Sequence, residues 1–304
     1  MIRVLVLGAA AGGGFPQWNS NSQACRRARG GDSAARPATQ ASIALSADGE
    51  HWVVINAAPD LRAQINRQPE LHPRYELRSS PICGVVLTNG DVDAIAGLLN
   101  LRERTPFTVY GHQRVLDVLQ ANPIFNVLAT DVVTRTEFDL DHTFVVGGLH
   151  ITPFAVPGKV ALFMEDAAAG ANFGSRDGDT IGLDVTDAER SVRMLYIANC
   201  AQVTTVLRER CAGADLLFFD GTLWRDDEMI SGHEGHKTGQ RMGHISMSGP
   251  TGSIAALAGC GARRKVFIHI NNTNPALLAD SSERRELEAA DWEVAHDGMD
   301  IELP

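Results

Sequence analysis

The chain has 304 residues, 44% of them hydrophobic, and a formal net charge of −10 from 27 basic and 37 acidic side chains. That length suffices for a large buried core, and a mean hydropathy of −0.08 fits an ordinary globular protein. The acidic balance argues against sequence-independent nucleic-acid binding, which relies on Lys and Arg neutralising phosphates. No apolar run reaches the roughly 18–20 residues that a membrane span needs.

The opening run Met1 to Gly8 reads as a buried strand, too short and too soon glycine-rich for a secretory signal. The next stretch, Gly8-Ala9-Ala10-Ala11-Gly12-Gly13-Gly14-Phe15-Pro16, has Ala10 in place of the second glycine of a dinucleotide fingerprint, and Phe15-Pro16 interrupts any helix. It reads as a tight loop that lets backbones approach closely. Residues 20–36 are polar, small and aperiodic and read as a surface loop. Two apolar runs, 41–46 and 52–56, flank Asp48-Gly49 and predict a hairpin. A capped helix is expected from Asp60, a strand over 84–86, a helix after Asp93, a strand over 107–110 and a helix over 115–119 that stops at Asn122-Pro123.

The second half repeats the alternation. Strands are expected over 144–146, 150–154, 181–185, 194–198, 216–219 and 266–270, with helices over 203–211 and 250–257 and a final helix and strand. A polar, histidine-rich loop fills 220–247. Hairpins followed by strand–helix alternation in each half predict an α/β protein of mixed sheets between helices. No linker rich in Pro, Gly or Ser divides the chain, so one domain of two related halves, residues 1–304, is expected. The five cysteines (Cys25, Cys83, Cys200, Cys211, Cys260) are odd in number and form no C-x-x-C pair. That fits reduced thiols and a cytoplasmic location.

Chemistry-bearing residues gather where predicted strands end. Leu87-Thr88-Asn89-Gly90-Asp91-Val92-Asp93 closes one strand and opens a helix, at the sheet edge where α/β folds place their sites. Asp93 is either a helix cap or a metal ligand. Asp91 is harder to explain without a cation, because a second carboxylate repels the first. Asp220 follows the buried run Leu216 to Phe219, and His269 ends an apolar strand before the polar turn Asn271 to Pro275. His269 reads as a ligand or as a satisfied core histidine. His233 and His236 read as solvated loop residues, and His244, just before a helix, as a residue held over the site by a loop.

The spacing Leu87-Thr88-Asn89-x-Asp91-x-Asp93-Ala94-x-x-Gly97-Leu98 resembles the metal loop of metallo-β-lactamase-fold proteins, with Asn89, Asp91 and Ala94 at the histidine positions. Longer motifs are more specific: Gly12 to Asn19, Leu87 to Leu99 with Arg102-Glu103, Asn122 to Leu128, Thr238 to His244 and Phe267 to Pro275. Together they resemble the pyrroloquinoline quinone (PQQ) biosynthesis protein B family, essentially end to end. The resemblance implies a four-layer αββα sandwich with its site at one edge between the sheets. It also implies a role in making PQQ, as an iron-dependent hydroxylase of the tyrosine ring in a Glu–Tyr-derived precursor. The alternatives are a carrier of PQQ or its precursor toward the periplasm and, third, a zinc hydrolase.

Relative to the hydrolytic members, Lys159 falls where a zinc-binding histidine would sit and Asn199 near the place of the bridging aspartate. The expected ligands of one divalent metal, Fe(II) favoured with O₂ as co-substrate, are therefore Asp91, Asp93 and His269. Asp220 and His244 are expected to orient a ligand or move protons, and Asn89, Lys159 and Arg241 to receive a small diacidic, tyrosine-derived substrate. Ser20 and Ser22 stand where some relatives have cysteines, so a structural zinc in that loop is not expected, since hydroxyls are poor zinc ligands beside thiolates. Other proteins of the pathway, or a second copy of the chain, are compatible partners.

Overall fold

The β-branched and aliphatic runs expected to be strands assemble into two seven-stranded sheets in the computed structural model, which describes residues 1–169, 173–189 and 191–304. The first half supplies β1 (Ile2–Gly8), β2 (Ser42–Ser46), β3 (Trp52–Ile55), β4 (Ile82–Val86), β5 (Phe107–Gly111) and β6 (Val133–Glu137). The second supplies β7 (Phe144–Val146), β8 (Leu149–Ala155), β9 (Ile181–Thr186), β10 (Arg193–Ile197), β11 (Leu216–Asp220), β12 (Arg264–Ile268) and β13 (Glu293–Val294). The last strand, β14 (Asp300–Leu303), returns to the first sheet beside β1, whose order is β14-β1-β2-β3-β4-β5-β6. The second sheet runs β13-β12-β11-β10-β9-β8-β7.

Connection length accounts for some strand directions, whereas β1–β2 and β8–β9 are antiparallel across long connections. The short Asp48-Gly49 turn makes β2 and β3 an antiparallel hairpin. Segments carrying the helices Leu61–Arg67, Val92–Ile95 and Gln113–Ala121 cross over to make β3, β4, β5 and β6 parallel. In the second sheet, β7 to β10 are antiparallel and β10 to β13 parallel.

Alternation along the strands of the second sheet separates two apolar layers. Met194 and Tyr196 of β10, Leu216 and Phe218 of β11, and Val266 and Ile268 of β12 join the core shared with the first sheet. Their neighbours Leu195, Ile197, Leu217, Phe219 and Phe267 instead meet Leu207, Leu257, Leu287 and Trp292 in and around the covering helices. A one-residue register slip would exchange these faces. The result is the expected four-layer αββα sandwich of the metallo-β-lactamase fold.

At one edge the two sheets are stitched together. Ile181 N–H donates to Thr88 O at 2.9 Å, and Ala11 N–H donates to Ile270 O at 2.8 Å. Within the first half, Gly97 permits the segment after β4 to cross close to the turn after β3: a Cβ on it would lie 2.0 Å from Ala58 O.

Two local expectations need correction. Residues 20–36 are not all loop, because Gln23–Arg29 is a helix whose first turn is capped by Ser22 Oγ, accepting from Cys25 N–H at 3.2 Å. Its buried Cys25 and Ala28 are too few to give a periodic signal. The 220–247 loop also contains two short helices, Glu228–Ser231 and Gly239–Met242. All five cysteines are free. Among the described residues no helix is long and apolar enough to cross a membrane.

Candidate metal centre

The chemistry-bearing residues sit beyond the carboxyl ends of the parallel strands β4, β11 and β12, where side chains clear the backbone ladder. Asp91 is the N-cap residue of the helix Val92–Ile95, yet its carboxylate makes no capping bond. Its Oδ1 instead accepts from Leu162 N–H at 3.0 Å. Asp93, one residue inside the helix, reaches His269 Nε2 at 3.0 Å. The cap alternative for Asp93 therefore gives way to a contact across the sheets. His269 adopts φ +60, a left-handed conformation uncommon for a non-glycine residue. β12 ends at Ile268, just before this turn and two residues short of the expected strand end.

Behind the histidines, Asp220 is fully buried. Its Oδ2 accepts from Cys200 N–H at 2.8 Å and from His244 Nδ1 at 2.7 Å. Its Oδ1 accepts from Thr222 N–H at 3.0 Å and from Thr222 Oγ1 at 2.6 Å. A carboxylate only accepts, so His244 donates through Nδ1–H, and a neutral ring in this tautomer has its lone pair on Nε2. The rings of His244 and His269 stack with centroids 5.4 Å apart.

The Thr222 hydroxyl fixes the second histidine. Its one proton goes to Asp220, the nearest and only ionised acceptor, so Oγ1 must accept from His269 Nδ1, 2.9 Å away. With Nδ1 protonated, a neutral His269 would set the Nε2 lone pair against the Asp93 carboxylate. That contact requires a cation between them, either a proton or a metal ion. Without a metal, burial lowers the affinity of His269 for its proton, but the Asp93 hydrogen bond and charge outweigh this and raise it. Burial likewise pushes the Asp93 carboxyl up, and the His269 bond and charge bring it below its ordinary value. Asp91 is raised, first by burial and then by the Asp93 charge.

Asp220, His244 and His269 present ligand atoms within 4.8 Å of one another. Asp220, however, already accepts four hydrogen bonds and does not line the cavity in front of the histidines. That cavity, about 320 Å³, is lined by Asp91, Asp93, His244 and His269 together with Lys159 and Asn199. Imidazole nitrogens and carboxylates are a donor set that suits a divalent transition metal. The expected ligands Asp91, Asp93 and His269 line this cavity together with His244, an arrangement that fits one metal, with Asp220 behind the histidines and Thr222 at the wall fixing the imidazoles.

Of the expected substrate contacts, Lys159 lines the cavity. Asn89 does not: its Nδ2 donates to Asn199 Oδ1 at 3.0 Å, and its Oδ1 accepts from Asp91 N–H at 3.0 Å, so it braces the loop. Arg241 lies behind Lys159, where its Nη2 donates to Glu165 Oε2 at 2.7 Å. Thr222 and Glu165 were not singled out by sequence reasoning. Thr222 follows the strand-ending Asp220-Gly221 and so carried a signal, whereas Glu165 sits in an alanine-rich stretch that carried none.

A beta-lactamase superfamily domain model matches residues 51–270. Coenzyme PQQ synthesis protein B of Gluconacetobacter diazotrophicus is 58% identical over 99% of both chains. The protein of the same name from Rhodopseudomonas palustris is 53% identical over the full length of both. The chain belongs to the coenzyme PQQ synthesis protein B family. A solved structure of a member, Zn(2+)-bound PqqB from Methylobacterium extorquens, superposes with a TM-score of 0.95 at 52% identity, covering 99% of this chain and all of that one. A diphosphatase of the PhnP family, 19% identical with a TM-score of 0.70, shares the fold.

Proposed function

We propose that the chain acts in PQQ biosynthesis as a metal-dependent oxygenase that hydroxylates the tyrosine ring of a small Glu–Tyr-derived diacid. The observation that carries this reading is the donor set: the imidazoles of His244 and His269 and the carboxylates of Asp91 and Asp93 line one cavity, and Asp91 Oδ1 is already taken by Leu162 N–H. Two histidines and one carboxylate with open positions is the set used by non-haem Fe(II) oxygenases. A bound Fe(II) would supply the redox chemistry that O₂ requires. The balance needs an external reductant, because O₂ with two electrons and two protons yields the ring hydroxyl and one water.

The protein groups have separable tasks. Asp220 and Thr222 hold the two imidazoles with their Nδ1–H groups turned inward, leaving Nε2 toward the cavity. Lys159 brings a positive charge into the cavity wall beside Asp91, which suits an anionic substrate group. Leu162, Met229 and Met242 supply apolar lining for an aromatic ring and against water. Asn199, at the place of a bridging carboxylate, offers only a neutral amide, which favours one metal over two.

The test is anaerobic loading with Fe(II), followed by a reductant, O₂ and a Glu–Tyr-type diamino acid. Expected is a product heavier by one oxygen atom. Absence of that product, with metal bound and the fold intact, overturns the oxygenase reading. Tight binding of finished PQQ would then favour a carrier, and two zinc equivalents with hydrolytic turnover a hydrolase.

A further inference from the structure

Lys159 and Arg241 are already occupied, and by a side chain of this protein. Glu165 Oε1 accepts from Lys159 Nζ and Oε2 accepts from Arg241 Nη2 at 2.7 Å. The Glu165 side chain is only 12% exposed. Hydrogen bonds from Arg241 outweigh its burial and, with Lys159, hold its carboxyl at about 2, so it stays ionised. The Arg241 guanidinium also stacks on Phe173, with Cζ 3.6 Å from the ring centroid. Among the described residues its Nη1 is buried without a hydrogen-bond partner, although guanidinium donors are rarely left unpaired inside a protein. A monodentate contact therefore leaves this fork half used, where a fitted carboxylate would take two parallel bonds.

Three residues before Glu165, the same strap covers the metal-facing acid. Leu162 N–H caps Asp91 Oδ1, while the Leu162 and Phe163 side chains are 59% and 54% exposed. A strap that packs few apolar side chains and is fastened by polar contacts is easily displaced. Two of its polar contacts, Leu162 N–H with Asp91 and Glu165 with Lys159 and Arg241, fall on groups that the proposed metal and substrate would use. Gly243, at φ +86, brings the Arg241 helix against Lys159: a Cβ there would lie 2.9 Å from Lys159 Cβ. The cations are thus held near each other independently of Glu165.

We propose that Lys159 and Arg241, over Phe173, form a carboxylate subsite that Glu165 plugs and that an aromatic substrate carboxylate enters by displacing it. The subsite deepens the substrate assignment above and rests on it. Displacement exchanges one ion pair for another, so specificity arises because a neutral analogue cannot replace Glu165. The strap is lifted as the ligand binds, which also releases the N–H held by Asp91.

The experiment compares binding of 4-hydroxyphenylacetate and its neutral amide to wild type and Glu165→Gln by calorimetry, without reductant. Removing the plug is expected to tighten the acid about tenfold, as the binding-competent fraction rises, and to leave the amide unchanged. Adding Lys159→Met or Arg241→Met to Glu165→Gln is expected to abolish the gain. The acid should also speed hydrogen exchange at Leu162 N–H in wild type. Equal affinities of wild type and Glu165→Gln for the acid, equal gains for acid and amide, or a protected Leu162 N–H would overturn the proposal. Binding is read without turnover, so the gain without hydroxylation removes only the oxygenase reading, and hydroxylation without the gain removes only this one.

Discussion

Replacing Asp220 with Asn changes one atom and tests whether this buried acid works through the histidines. The carboxylate takes two donors on each oxygen, and an amide has only one oxygen. If that oxygen faces Thr222, the new NH₂ meets Cys200 N–H and His244 Nδ1. His244 can then accept only by moving its proton to Nε2, which removes the lone pair aimed at the cavity. Cys200 N–H is orphaned in the interior, a loss of about 1–3 kcal/mol, and the charge assistance of the remaining bonds goes too. The reverse amide orientation orphans Thr222 N–H at a similar cost. Together the expected destabilisation is about 2–4 kcal/mol. Metal affinity should fall about 10–100-fold, as for other groups that orient metal-ligating histidines. Urea unfolding gives the first quantity, and competition against a chromophoric chelator the second. A variant with wild-type unfolding midpoint and wild-type metal affinity would refute the assignment of Asp220 as the group that sets the His244 tautomer.

Other perturbations read different parts of the molecule. Glu228 is buried, with Oε2 accepting from Trp224 N–H at 2.6 Å and Oε1 from Thr273 Oγ1 at 2.6 Å. Burial pushes its carboxyl up to about 7. A folded-state value above the unfolded one means stability present at low pH is lost as pH rises from about 4.5 to 7, here about 3 kcal/mol. Glu228→Gln should therefore match wild type near pH 5 and gain most of that amount by pH 8; parallel stability–pH curves for the two proteins would contradict this. Gly97→Ala sets a methyl 2.0 Å from Ala58 O and should destabilise by about 2 kcal/mol or more, since the backbone must move; an unchanged melting midpoint would count against the close crossing. Asp93→Asn leaves Nε2 of His269 facing an amide, so the imidazole should titrate at lower pH by NMR, and metal binding should weaken by more than the roughly 10–100-fold typical of groups that only orient a ligand. An unchanged imidazole titration in metal-free protein would refute the Asp93–His269 pairing.

The elements legible in the sequence were those whose signal is local. The Asp48-Gly49 hairpin and the buried run Leu216 to Phe219 carry turn and β-branched or aromatic signals that need no tertiary context. The helix Gln23–Arg29 was not legible, because it buries only Cys25 and Ala28 and its stability comes from docking. β6 (Val133–Glu137), reading Val-Thr-Arg-Thr-Glu, was also missed, since it packs only Val133 into the core. At the site, Asp91, Asp93, Asp220 and His269 announced themselves by ending strands. Their division of labour did not, because it depends on which oxygen each donor reaches across as many as 176 positions of chain. Glu165 was invisible for the same reason: its partners Lys159 and Arg241 are 6 and 76 positions away.

The return of β14 to β1 bears on the timing of folding. Arg3 pairs with Glu302 in the ladder, Arg3 Nη2 reaches Asp300 Oδ2 at 2.7 Å, and Val6 N–H donates to Met299 O at 2.8 Å. Until residues 299–303 leave the ribosome, β1 has an open ladder edge that a neighbouring chain could pair with. The stretch running on from β1, Ala9 to Ala11, is stitched to Ile270, so this part of the cavity wall waits for a second distant segment. Contacts this distant in sequence close slowly. The candidate site is therefore assembled only after residue 270 has been made, and a nascent chain stalled before it is expected to bind no metal there.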